Sequence, residues 1–229
     1  MPELTILMPV FNERATVEQA IAETLAAELP VDGVELVVVD DGSTDGTREI
    51  LRQGDWPDNL KLLEHPANRG KGAALRTALA EATGSLTTIM DADLEYDPAS
   101  LADLIAPIRD GHADAVYGVR GFQSHSAYSF WYVVGNRSVT FAANVLYDCW
   151  LADIMTCHKL MPTELFRSLR LREDGFAIEP EITARLLRSG ARIYEVPVTY
   201  RARTRAEGKK LTSHDGMRVL RTLARCRVR

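Results

Sequence analysis

The sequence predicts an α/β fold, a mainly parallel central sheet flanked by helices, on three observations. Short apolar runs of strand length alternate with longer stretches of helical periodicity, the pattern of βαβ units. The run at 35–39 is rich in β-branched residues and too short for a helix. Acids, glycines and cations recur directly after them, at the edge where an open parallel sheet binds its ligands.

Taken in order, Leu4–Val10 is an apolar strand and residues 15–28 a helix. Residues 35–39, Glu-Leu-Val-Val-Val, read as a buried strand, and the helix after it takes Ser43 or Thr44 as its N-cap. Leu60–Glu64 is the third strand, and residues 70–83 form an Ala-rich helix ended by Gly84. Residues 85–90 and 113–117 are strands on either side of a helix at 98–109. Beyond Gly121 the pattern changes. Residues 122–150 are aromatic-rich and helical towards their end, with Val134, Val139, Phe141, Val145 and Leu146 available for packing. Ile178–Ser189 reads as a helix and residues 192–196 as a strand. A last helix at 215–229 puts Met217, Leu220, Leu223 and Ala224 on one face, with Arg218, Arg221 and Arg225 around it. With no repeat and no Pro/Gly/Ser-rich linker, residues 1–229 read as one domain.

A composition of 46% hydrophobic and 26% charged residues excludes disordered and fibrous classes. No apolar run approaches the roughly 20 residues of a membrane span, and the N-terminus lacks a basic-then-apolar leader. Three cysteines without a C-x-x-C pair fit a reducing, cytoplasmic setting. The net charge of −5 conceals an asymmetry: residues 201–229 carry +8 and the first 200 carry −13. An acidic body suits a metal, and a basic end suits an anion. No nucleic-acid-binding motif accompanies the basic residues, so a phosphate-bearing substrate or an anionic membrane surface is the expected partner.

The chemistry gathers after the strands. Asp91-Ala92-Asp93, with Glu95 beyond, opens from a buried strand and offers hard oxygen ligands to Mg²⁺ or Mn²⁺, which would bridge a diphosphate. Asp40-Asp41-Gly42 ends a Val-rich strand and offers a carboxylate to a base or ribose, although Asp-Gly is also ordinary turn chemistry. Asn68-Arg-Gly-Lys71-Gly72 resembles a phosphate cradle, or else simply turns tightly into a helix packed close to the sheet. Neither a Walker A loop nor a G-x-G-x-x-G turn is present. The five histidines lack metal-ligand spacing, and Cys157-His158 lacks the rest of a nucleophilic triad.

Together, P-V-F-N-E at 9–13, V-V-V-D-D-G-S-T-D-G-T at 37–47, N-R-G-K-G-A-A at 68–74 and M-D-A-D-L-E at 90–95 resemble the GT-A glycosyltransferases of family 2. Within that family the sequence is most similar to the dolichol-phosphate mannosyltransferase-like branch, which glycosylates polyprenyl phosphates. The resemblance implies a GT-A (nucleotide-diphospho-sugar transferase) fold. Residues 1–120 would bind the nucleotide sugar, residues 121–210 form the acceptor side, and residues 211–229 a basic C-terminal helix. It implies that Pro9, Phe11, Glu13, Val39 and Asp41 line the nucleotide pocket with Lys71. Asp91, Ala92 and Asp93 would match the sugar-nucleotide and metal motif, with Glu95 a further ligand. Arg120 and Arg137 would meet the acceptor phosphate, and Arg205 with Lys210 (or Lys209) would close over the diphosphate. Asp153 with Lys159 matches an acceptor segment that Thr156-Cys157-His158 departs from. The activity implied is inverting, metal-dependent transfer from a GDP- or UDP-sugar to a polyprenyl phosphate, with the basic C-terminus in peripheral contact with an anionic membrane. A soluble acceptor is the alternative, with Asp153, Glu179 or Glu181 as the base. A sugar-phosphate nucleotidyltransferase would show G-x-G-x-R near the first strand, which is missing. A non-catalytic binding domain would not need the intact acids and cations.

Overall fold

A computed structural model describes residues 2–121, 130–202 and 213–228. Seven strands, β1 (Leu4–Val10), β2 (Val34–Asp40), β3 (Leu60–Glu64), β4 (Leu86–Ile89), β5 (Ala115–Arg120), β6 (Lys159–Pro162) and β7 (Ile193–Val198), form one sheet. Their order is β3-β2-β1-β4-β6-β5-β7. Every pairing is parallel except those of β6, which runs antiparallel to both β4 and β5. The helices are α1 (Val17–Ala26), α2 (Thr47–Gln53), α3 (Lys71–Glu81), α4 (Leu101–Arg109), α5 (Phe130–Tyr147), α6 (Thr163–Ser168), α7 (Ile178–Ser189) and α8 (Ser213–Val228).

The central strands read as apolar runs because both faces are covered. Leu36 to Val39 of β2 and Ile6 to Met8 of β1 are completely buried. The register sets Val10 opposite Asp40, so β1 and β2 end together and release their loops side by side. The strand order turns back beside β1, which has β2 on one side and β4 on the other, and this is where such sheets open a ligand crevice.

The structure departs from the sequence expectation in four places, one of them on α5, where Phe141, Val145 and Leu146 are exposed rather than packed. Helix α2 begins at Thr47 after a left-handed Gly46 (φ 101°), so neither Ser43 nor Thr44 caps it. Ser43 Oγ instead accepts from Asn12 N at 2.9 Å, tying the first two loops together. Strand β6 and helix α6 have no forerunner in the sequence pattern. The strand is four residues long and starts with Lys159, which is completely buried. The last departure is the face on which α8 docks. Val219, Leu223 and Cys226 join Ala143, Leu151, Ile154 and Ala184 in a second core under α5 and α7, while Met217 (65%) and Leu220 (45%) are exposed.

Candidate active site

A cavity of ≈ 460 Å³ opens beyond the carboxyl ends of the strands. Its wall takes Pro9 from the end of β1, Phe11 and Glu13 from the loop after it, Asp41 from just beyond β2, Gly70 and Lys71 from the start of α3, and Asp91, Ala92, Asp93 and Glu95 after β4. Arg120, at the end of β5, closes the far part together with Tyr96, Tyr132, Phe176 and Glu179.

Asp41 is held by main-chain donors. Its Oδ1 accepts from Arg69 N (3.0 Å) and its Oδ2 from Gly70 N (2.7 Å), while His65 Nδ1 lies 2.6 Å from Oδ1. Asp40, directly before it, turns away to Arg48 Nε at 2.7 Å and Ser43 N at 3.2 Å. The two adjacent acids are thus separated by opposite partners.

Lys71 is the hub of a buried chain of alternating charges. Its Nζ donates to Asp91 Oδ2 at 2.8 Å and lies 3.0 Å from Glu179 Oε1, close enough for an ion pair but not aligned as a hydrogen bond. Glu179 Oε2 accepts from Lys159 Nζ at 2.5 Å. Burial works against the charge on Lys71, yet the carboxylates of Asp91 and Glu179 outweigh it and raise the lysine above its ordinary value. For Lys159 burial wins, and its amine is pushed down despite Glu179.

The glycines around Lys71 serve close packing. A Cβ on Gly70 would lie 2.3 Å from the Asp174 carbonyl oxygen, and one on Gly72 2.2 Å from that of Glu173. Asp174 O accepts from Gly72 N at 2.7 Å and Ala73 N at 3.1 Å. Those two amides of α3 are therefore spent on the protein itself. Lys71 still lines the cavity through its side chain.

Arg120 is buried and meets Asp153 through two nitrogens, Nε to Oδ2 at 2.6 Å and Nη2 to Oδ1 at 2.9 Å. Nη1 donates to Tyr132 Oη (2.8 Å) and Nη2 to Asn136 Oδ1 (3.2 Å), and the guanidinium sits 5.2 Å from the Tyr200 ring centre. Burial opposes both charges, but each overcomes it: Asp153 is held below the usual carboxylate range by Arg120, and Arg120 is raised by Tyr96 and Asp153.

The acid motif has its own supports. Asp93 Oδ1 accepts from Glu95 N at 3.1 Å across Leu94, whose φ of 58° is left-handed. Glu95 Oε2 accepts from Tyr200 Oη at 2.5 Å, and Arg201 N donates to Glu95 O at 2.7 Å. The chain thus enters the segment bearing Arg205, Lys209 and Lys210 from beside the acids. Those three residues lie outside the described part of the structure.

Val39 is buried inside β2 and is not among the lining residues, because it faces the sheet core rather than the loops. Arg137 is exposed on α5 and is also absent from the wall. Its neighbour Asn136 faces inward to Arg120 and Asp153. Sequence reasoning passed over Tyr132, Asn136, Tyr96 and Phe176. Only the spacing of Tyr132, Asn136 and Thr140 on one face of α5 foreshadows the first two. Cys157 and His158 do not pair. His158 stacks on Tyr96 (4.3 Å) beside Met90 Sδ, and burial, with Lys71 and Lys159 nearby, pushes it down to about 3. Burial raises the Cys157 thiol, the reverse of a thiolate–imidazolium couple.

The donor set fits a hard divalent ion. Asp91 and Asp93 offer oxygen, and among the described residues no group of three or more His, Cys, Asp or Glu gathers. Two carboxylates with the remaining ligands left to phosphate and water is the usual mode for Mg²⁺.

Residues 5–170 match the family model described as glycosyl transferase family 2. Among curated proteins of Haloferax volcanii, glycosyltransferase AglD is 28% identical over 96% of this chain and 37% of its own length. Glycosyltransferase AglJ is 29% identical over 85% and 62%. The low-salt glycan biosynthesis hexosyltransferase Agl6 is 28% identical over 96% and 52%. The chain thus spans less than two thirds of the length of each of these relatives. Among solved structures, glucosyl-3-phosphoglycerate synthase from Mycobacterium tuberculosis in complex with Mn²⁺, UDP and glucosyl-3-phosphoglycerate superposes with a TM-score of 0.73 at 21% identity, over 98% of this chain and 80% of that one. S. aureus TarS 1-349 in complex with UDP-GlcNAc gives 0.64 at 19% identity, over 98% and 66%. These likenesses establish the GT-A fold. No described helix is long and apolar enough to cross a membrane.

Proposed function

Because the chain belongs to glycosyltransferase family 2, we propose that it transfers a sugar from a nucleotide-diphosphate sugar to a polyprenyl phosphate, with inversion and with Mg²⁺ or Mn²⁺. The observation that carries this reading is that one cavity is lined at once by Asp41, by Asp91 and Asp93, and by Arg120. The UDP and metal in structural neighbours support the donor half of the proposal.

Asp41 has three protein donors on its two oxygens. A carboxylate offers about four lone-pair sites, so one remains. That suits a base presenting one ring N–H, as uracil does, better than the adjacent pair of donors on guanine. Asp91 and Asp93 would hold the metal, with Lys71 keeping one oxygen of Asp91 in place. When bound, the ion supplies positive charge to the diphosphate oxygens as the nucleotide leaves. Arg205 and Lys210 are assigned to the same diphosphate by the family resemblance. Arg120 would orient the acceptor phosphate, which needs no general base because its second pKa is about 6 and the attacking oxygen is already anionic.

The second reading keeps the donor chemistry and gives Arg120 a soluble, phosphate-bearing acceptor. A neighbour complexed with phosphoglyceric acid favours it. The test is a pooled transfer assay with Mn²⁺ or Mg²⁺, GDP- and UDP-sugars and a short polyprenyl phosphate, with products partitioned into organic solvent and weighed by mass spectrometry. A lipid-phosphate-linked sugar is the expected product. Nucleotide release without a lipid product, in protein that binds the nucleotide, would transfer the assignment to a soluble acceptor.

A further inference from the structure

Helix α5 has two faces of opposite character. Its 18 residues contain a single charged side chain, Arg137. The inner face delivers Tyr132 and Asn136 to Arg120, Thr140 to the Ile154 amide, and Ala143 to the second core. The outer face presents Phe141 (67% exposed) and Val145 (66%), and Trp150 (88%) is the third residue beyond the helix end. Isolated exposed apolar residues are ordinary on a soluble domain, but large ones aligned on one helix face mark a contact surface.

Helix α8 lies alongside. Tyr147 Oη donates to Leu223 O (2.8 Å), and Arg227 Nε donates to Leu146 O (2.9 Å). The outward side of α8 carries exposed Met217 and Leu220 among Arg218, Arg221, Arg225 and Arg227, with no acid among its described side chains. Arg225 is paired with Glu173, and Asp148 is the exposed acid beside the end of α5. Apolar side chains flanked by arginines complement an anionic lipid surface, where the chains enter the acyl boundary and the cations meet headgroups.

We propose that the outer stripe of α5, formed by Phe141 and Val145 with Trp150, rests in the interface of an anionic bilayer beside the arginines of α8. The occupant of this face is lipid. The inference builds on the polyprenyl-phosphate reading, because the opposite side of the same helix supports Arg120. A helix is about 10–12 Å across, so Arg120 would lie within about that distance of the headgroups. A lipid phosphate would then reach the site without leaving its leaflet.

The test is flotation with phosphatidylcholine vesicles, with and without phosphatidylglycerol. The wild-type protein is expected to float with the anionic vesicles. Brominated lipid should quench Trp150 emission, assigned by comparison with Trp150→Phe. Replacing Phe141, Val145 and Trp150 together by Ser should lower partitioning by at least about tenfold, given the apolar area involved. Transfer to a short, water-soluble prenyl phosphate should be unchanged in that variant. Equal flotation of wild type and triple variant would overturn the proposal. So would a dimer, broken by the triple variant, in protein that ignores vesicles, since the stripe would then cover a second copy. Flotation and quenching without any lipid-linked product would uphold the stripe while removing the acceptor reading.

Discussion

The two sides of the cavity are built by different means. On the side proposed to bind the donor, backbone amides share in holding the acids: Asp41 takes two loop amides, Asp40 adds Ser43 N to its ion pair with Arg48, and Asp45 takes Thr47 N. On the side proposed to bind the acceptor, buried charges are held chiefly by opposite side-chain charges, Arg120 by Asp153 and Lys159 by Glu179. The first design spreads the cost of each charge over amides that the turn supplies anyway. The second concentrates it in pairs, where loss of one partner strands a desolvated charge in low dielectric.

The largest expected effect tests that asymmetry. Asp153→Asn removes the carboxylate that meets two nitrogens of Arg120 and should destabilise the fold by about 3–5 kcal/mol. Chemical denaturation measures it, and a double replacement, Arg120→Met with Asp153→Leu, should recover much of the loss. An equal penalty in the double variant would mean the pair contributes more than mutual neutralisation. Next comes Asp93→Asn on the donor side, which should cut turnover about a hundred- to a thousandfold while leaving the unfolding midpoint in place. Retained metal-dependent activity would remove Asp93 from the metal site.

A smaller effect is set by pH. His158 is buried neutral, lowered to about 3 by burial with Lys71 and Lys159 nearby. Its stabilising contribution is therefore complete above the unfolded value of about 6.5 and is lost as pH falls below it, at about 1.4 kcal/mol per unit. Between pH 6.5 and 4.5 the urea midpoint should fall, and His158→Gln should flatten that slope. Carboxylates with lowered values, such as Glu35 and Asp114, add their own loss only below about pH 4.5. The smallest effect belongs to the donor loops: Asp45→Ala removes the acceptor for Thr47 N at the start of α2 and should cost about 1 kcal/mol, read from the thermal midpoint.

The same contrast decides what could be read in advance. Strands β1 and β2 carry apolar runs, at 6–10 and 36–39, each followed by a short polar loop, so both their positions and the acids after them are written locally. Strand β6 is not, because a Lys followed by Leu-Met-Pro has no strand signature until Glu179, 20 residues away, neutralises the amine. Arg120 was legible as a candidate cation, but not its burial, which depends on Asp153, Tyr132 and Asn136 arriving from other elements. On α8 the spacing of Val219, Leu223 and Cys226 was available in the sequence. It competed with Met217, Leu220 and Ala224, and only packing against α5 and α7 chose between the two faces.

The antiparallel strand β6 also bears on how the chain assembles as it is made. Strands β1 to β4 can pair among themselves once the first 90 or so residues exist, but β5 is joined to them only through β6, about 40 residues later than β5 itself. During synthesis β4 is therefore an open sheet edge, with hydrogen-bonding groups unmet. The buried Lys159 that starts β6 then waits for Glu179 on α7. Nascent chains halted between β5 and β6 should be the species most prone to strand-edge association, and those carried past β7 should be less so.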